Sequence, residues 1–136
     1  MINILLCCGG GFSSSAIAQR MEKEIIEKQL DNQYHIEFLP FSVGLEEMDR
    51  FDVIILCPHL KIELERALKQ YQINKPVYLL PPKMYGLMKF EEIRIDIEDV
   101  MKMYQENPTV PVKFPGEDNL LRITRGEAYR KYHKLK

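Results

Sequence analysis

A thiol, three glycines and three serines stand in one short run near the start of the chain: Cys8-Gly9-Gly10-Gly11-Phe12-Ser13-Ser14-Ser15. An apolar segment, Ile2–Cys7, leads into this run and a helical pattern follows it. Glycines let the backbone curl so that successive N–H groups converge on an anion. Serine hydroxyls add donors, and the N-terminus of the following helix adds partial positive charge where a phosphate would sit. The same donors favour the thiolate of Cys8 and make it a nucleophile. The bland alternative is an inert buried thiol. Three consecutive glycines weigh against it, because glycine costs stability unless the backbone needs its freedom. The run therefore reads as a loop in which a cysteine sulfur takes up a phosphoryl group.

Other phosphate loops narrow the chemistry. A nucleotide-triphosphate loop needs Gly-x-x-x-x-Gly-Lys-Ser/Thr, and no lysine lies between Cys7 and Arg20. A dinucleotide fingerprint needs a third glycine where Ser14 stands. A cysteine phosphatase places an arginine six residues after its nucleophile, whereas Ser14 follows Cys8 at that distance and Ser13 follows Cys7. Without a guanidinium to clamp the transferring oxygens, such a loop holds phosphate on sulfur while doing little to hydrolyse it. That suits a relay. A low-molecular-weight phosphatase-like enzyme and a regulatory phosphocysteine module are the alternative readings.

The flanking elements must bring this loop to a ligand-binding edge. Ile2–Cys7 and Phe51–Cys57 are apolar with almost no alternation, as parallel strands covered on both faces are. Tyr34–Leu39 alternates like an edge strand, and Val77–Leu80 is a fourth short strand ended by Pro81-Pro82. Helical spacing marks residues 15–30, 59–72 (Leu60, Leu64, Ala67, Leu68, Tyr71) and 90–104, with a short helix or turn over Val43–Arg50. Ser13, Ser14 or Ser15 could cap the first helix. Strand–helix alternation predicts an α/β fold: an open, doubly wound, four-stranded parallel sheet with helices on both faces and the phosphate-binding loop after the first strand. In such sheets ligands bind beyond the carboxyl ends of the strands, which is where Cys8 lies.

Residues 1–104 are expected to form this domain. Residues 105–136 form an extension interrupted by Pro108, Pro111 and Pro115, with a possible short helix over residues 118–132. The extension holds seven Lys/Arg against four Asp/Glu, although the whole chain of 136 residues carries a formal net charge of only −1. It could wrap the domain, meet another chain or remain a solvated arm. The overall balance supplies no electrostatic reason to expect nucleic-acid binding. Three cysteines, two of them adjacent, do not suggest a disulfide framework. No signal-peptide pattern and no apolar run of membrane-spanning length is present, so a cytoplasmic protein without direct membrane insertion is expected.

The loop Cys8-Gly-Gly-Gly-Phe12-Ser13-Ser14-Ser15 resembles the Cys-x-x-Gly-Met/Phe-Ser-Thr/Ser-Ser loop of the lactose/cellobiose-class IIB components of the bacterial phosphoenolpyruvate-dependent sugar phosphotransferase system. The resemblance continues through Ala16–Met21, Asp52–Pro58, Asn74-Lys75-Pro76-Val77 and Tyr85-Gly86, and covers about residues 1–104. It implies a phosphotransferase with a phosphocysteine intermediate on Cys8, cradled by Gly9, Gly10, Gly11, Phe12, Ser13, Ser14 and Ser15. It implies a IIA component as phosphohistidine donor and a membrane IIC permease with bound sugar, a β-linked disaccharide by class, as acceptor. Peripheral association with that permease follows, with no cofactor. His59 stands where glutamine is frequent in the family.

The remaining candidates have two readings each. His59 either hydrogen-bonds the phosphate or simply starts a helix. Tyr85 either lines the site or packs. Cys7 points to the face opposite Cys8 and reads as a core residue, and Cys57 likewise reads as packing. Cys7, Cys8, Cys57 and His59 lack zinc-knuckle spacing, so no metal is expected.

Overall fold

The computed structural model describes residues 1–7, 12–87, 89–117 and 120–132, with residues 12–18 and 121 described by backbone alone. Strands β1 (Ile2–Cys7), β2 (Tyr34–Phe38), β3 (Val53–Leu56) and β4 (Val77–Leu79) form one sheet in the order β2-β1-β3-β4. Every pairing is parallel, with Ile4 opposite Ile36 and Val53, and Leu56 opposite Cys7 and Leu79. Among the described residues five α-helices accompany it: α1 (Phe12–Glu27), α2 (Phe41–Glu47), α3 (Lys61–Gln70), α4 (Pro82–Leu87) and α5 (Phe90–Glu106).

The period of two along β1 sends side chains alternately into two cores. Ile4 and Leu6 join Met21 and Ile25 of α1 and Phe90, Ile93, Ile97 and Val100 of α5 on one face. Leu5 and Cys7 join Phe51, Leu60 and Leu64 on the other. Because both faces are covered, β1 and β3 carry apolar residues without alternation. The expected doubly wound parallel sheet is the observed one.

Several local expectations change. The first helix begins at Phe12, so Ser13, Ser14 and Ser15 fall within its first turn rather than before it. Pro81-Pro82 ends β4 but also starts α4, since proline at a first helical position gives up an N–H that has no partner there anyway. In α3 only Leu64 and Ala67 are buried, while Leu68 and Tyr71 are 36% and 48% exposed.

The short helix expected in the extension is not formed by its described residues 120–132. Beyond the end of α5, the regular structure among its described residues is two single 3-10 turns, Leu120–Arg122 and Tyr129–Lys131. The extension wraps the sheet domain. The Val112 N–H donates to the Val77 carbonyl at 2.8 Å, beside edge strand β4. Phe114 and Tyr129 are buried and stack with centroids 4.4 Å apart.

Its basic side chains meet an acidic stripe on α5. Glu92, Asp96 and Asp99 are spaced i, i+4, i+7 and so share one face of that helix. Lys131 Nζ lies 2.6 Å from Glu92, Arg125 Nη1 2.8 Å from Asp96, and Arg130 Nη2 2.7 Å from Asp99.

Candidate functional site

The chain crosses from β2, on one side of β1, to β3 on the other. The strand order therefore reverses between β1 and β3, and the crevice beyond their carboxyl ends is the ligand position of an open α/β sheet. The two ends are tied together by the Cys57 N–H, which donates to the Cys7 carbonyl at 3.1 Å. Beside them the Leu80 N–H donates to the Leu56 carbonyl at 2.9 Å, bringing the end of β4 level with the end of β3.

The loop expected to do the chemistry starts at this edge. Cys8, Gly9, Gly10 and Gly11 lie outside the described residues. Phe12, Ser13, Ser14 and Ser15 are described as the backbone of the first turn of α1. The amino end of that helix thus follows β1 after a short connection, which orients its partial positive charge toward the strand ends. The amino end of α5 is keyed to α1: the Glu91 N–H donates to the Glu24 carboxylate at 2.8 Å.

Cys7 is buried in the α2–α3 core and is a free thiol. Burial pushes its pKa up to about 12, so it stays protonated at neutral pH and is a poor nucleophile. Gly44 of α2 allows this packing, because a Cβ there would stand 3.0 Å from the Cys7 sulfur and 3.0 Å from a Leu5 methyl. Cys57, read from the sequence as a packed thiol, is fully buried and disulfide-bonded.

His59 and Tyr85, the two side candidates, come together. His59 lies in the 3-10 turn Pro58–Leu60 that follows β3, and Tyr85 in α4, which follows β4. Their rings meet edge to face with centroids 5.7 Å apart. His59 is exposed and Tyr85 half-buried, so the pair forms part of the rim at the strand ends. The face of α4 turned inward carries Met84, which is buried among the residues of the α1–α5 core.

Behind α4 stands a cluster the sequence reasoning did not single out. Arg125 is buried, and its guanidinium spreads over five partners. Nε and Nη2 bond the two oxygens of Glu117 at 2.7 and 2.9 Å. Nη1 donates to Asp96 and to the Glu127 carbonyl, both at 2.8 Å, and Nη2 donates to the Tyr78 hydroxyl oxygen at 2.9 Å. Nη1 also lies 3.1 Å from the Met84 sulfur. Tyr78 in turn donates to Asp96 at 2.6 Å, and the Tyr129 N–H donates to the other Asp96 oxygen at 2.8 Å. Burial raises the Asp96 carboxyl above its ordinary value, although the charge of Arg125 and these hydrogen bonds pull it down. Burial and the Asp96 charge hold the Tyr78 hydroxyl well above its ordinary value. The sequence offers only the i, i+4, i+7 acidic stripe of Glu92, Asp96 and Asp99, which by itself reads as a solvated helix face.

Among the described residues no group of three or more His, Cys, Asp or Glu side chains is placed to hold a metal ion. No described helix is long and apolar enough to cross a membrane.

Sheet order, switch point and helix placement define a small open parallel α/β domain with a ligand edge at the ends of β1 and β3. Residues 3–106 match the family model described as the lactose/cellobiose-specific IIB subunit of the phosphotransferase system, and the chain belongs to that family. It resembles the solution structure of a cellobiose-specific phosphotransferase IIB component from Borrelia burgdorferi at 31% sequence identity, with a TM-score of 0.58. That match covers 75% of this chain and 93% of the other. A lactose-specific IIB domain from Streptococcus pneumoniae matches at 14% identity and a TM-score of 0.45, covering 79% of this chain and 98% of that one. No curated protein gives a significant match. The chain is thus a component of a sugar phosphotransferase system, in which IIB domains act as phosphotransferases together with IIA and IIC components.

Proposed function

We propose that Cys8 is the phosphoryl carrier of this IIB domain. A phosphohistidine on a IIA component donates: its P–N bond breaks as an S–P bond forms, and the imidazole nitrogen leaves. A sugar bound by the membrane IIC permease then accepts. The S–P bond breaks and releases the Cys8 thiolate, a P–O bond forms to a sugar hydroxyl, and that hydroxyl's proton passes to water. Gly9, Gly10, Gly11, Phe12, Ser13, Ser14 and Ser15 supply the N–H and hydroxyl donors for the charge that develops on the transferring group. The relay resides in residues 1–104, in a cytoplasmic domain that meets the permease from outside the membrane, and the sugar is a β-linked disaccharide. The observation that carries this reading is the end of β1. It stops at Cys7 against the switch point, and Cys8 is the next residue of a chain whose family is a phosphotransferase family.

Reconstituted transfer tests the reading. In reducing buffer, a phosphorylated IIA and permease vesicles should phosphorylate cellobiose with the wild-type protein and with Cys7→Ala. Cys8→Ser should fold normally and support no transfer. Retained transfer by Cys8→Ser would remove the proposal, and rapid hydrolysis of an aryl phosphate by the wild type would favour a phosphatase.

A further inference from the structure

The extension reaches the rim of the ligand edge through α4. Arg125 touches the Met84 sulfur from beneath that helix, while its other bonds anchor it to Asp96 of α5 and to Glu117. The next residue, Gly126, lies against the outer side of the same helix. A Cβ there would stand 2.9 Å from a Leu87 methyl and 3.2 Å from the Lys83 side chain. Consecutive residues of the extension therefore grip α4 at Lys83, Met84 and Leu87. Tyr85 lies between the gripped positions, and its ring meets His59 at 5.7 Å. Helix α4 has only six residues. So short a helix is marginal by itself and takes its position from tertiary contacts.

From these contacts we infer that Arg125 is a positioning residue for the transfer edge: through Met84 and α4 it holds Tyr85 against His59. The inference rests on the phosphoryl-transfer reading for its kinetic consequence, but not for its structural one. The extension is then part of the working domain rather than an appended arm. Loss of its grip lets α4 shift, and displacements of about 1 Å at a reacting edge can cost on the order of 100-fold in rate.

Two variants of the full chain test this. Arg125→Lys keeps the positive charge but cannot reach Asp96, Glu117 and Met84 together with one fork. Gly126→Val leaves that cluster intact and presses on Leu87 and Lys83. The first readout is the ring-current shift of the His59 Hε1 proton, with Tyr85→Leu as the reference that removes the neighbouring ring. Both variants should move that resonance toward its position in Tyr85→Leu. The second readout is phosphoryl transfer from phosphorylated IIA, where kcat should fall about 10- to 100-fold with KM little changed. Thermal unfolding should remain cooperative. An unmoved His59 resonance and unchanged kcat in both variants, with only the melting temperature lowered, would reduce the extension to a stabilising strap and overturn the inference. Transfer by Cys8→Ser would instead strike the phosphoryl-transfer reading, leaving the resonance test intact.

Discussion

Arg125 and Asp96 are joined at 2.8 Å with side chains only 7% and 0% exposed, across 29 residues of sequence. Removing one partner of such a buried pair leaves the other charge without compensation, at a cost of about 3–5 kcal/mol. Arg125→Met should therefore lower the urea midpoint steeply. The double variant Arg125→Met/Asp96→Leu should recover part of that loss, because the fully buried carboxylate is gone while the more exposed Glu117 can turn toward water. A double variant as unstable as the single would show that packing, rather than the charge pair, carries the effect.

Acid should loosen the extension through Glu92. Burial pushes its carboxyl up, but the hydrogen bonds from Lys131 and from the Ala128 N–H outweigh burial and hold it below its ordinary value. A carboxyl lowered in the folded state contributes stability above its unfolded pKa, about 4.3, and that contribution fades as pH falls through the lower folded value. The stability difference between wild type and Glu92→Gln should thus be larger at pH 7 than at about pH 3. Asp96 runs the other way, because its carboxyl is raised, so its ionisation opposes folding as pH rises. Urea titrations of both proteins at the two pH values separate the contributions.

The two adjacent cysteines should differ in reactivity. With its pKa pushed to about 12 by burial, Cys7 holds a negligible thiolate fraction at pH 7. Iodoacetamide applied to the native, reduced protein should leave Cys7 unmodified, and unfolding in urea should expose it. Peptide mapping reads the outcome directly. Fast native labelling of Cys7 would contradict its buried position and reopen the choice of nucleophile.

Gly44 offers a packing test on the other face of β1. Alanine there brings a methyl to 3.0 Å from both the Cys7 sulfur and a Leu5 methyl, so α2 must move away from the sheet. Overpacking of this kind costs typically about 1–3 kcal/mol. Gly44→Ala should lower the urea midpoint by a matching amount, and adding Leu5→Ala should make the glycine replacement less costly. A midpoint unchanged by Gly44→Ala would mean that α2 adjusts freely.

The sheet was legible because β1 and β3 are buried on both faces, and unbroken apolar runs such as Val53–Leu56 have few other readings. Helix α4 was hidden by Pro81-Pro82, which reads as a stop although proline also opens helices. Leu68 and Tyr71 fit the helical period of the α3 region, yet Tyr71 lies just past the end of the helix and both are exposed. The docking of the extension was hidden for a different reason. Glu92, Asp96 and Asp99 look like a solvated helix face, and their partners Lys131, Arg125 and Arg130 lie 39, 29 and 31 residues further along the chain. Local periodicity does not encode such pairing. At the candidate site the loop was legible from residue types alone. The meeting of His59 with Tyr85 was foreshadowed only because both follow strand ends, and the order of those strands decides which ends are neighbours.

The central claim is that phosphate rests on the sulfur of Cys8. The most direct test incubates the reduced protein with a phosphorylated IIA component, digests it, and locates the phosphoryl group by fragment mass analysis of the peptide spanning Cys7 and Cys8. Phosphate on Cys8 in the wild type, absent from that peptide in Cys8→Ser, is the predicted result. Phosphate on Cys7, on a serine of the loop or on His59 would contradict it.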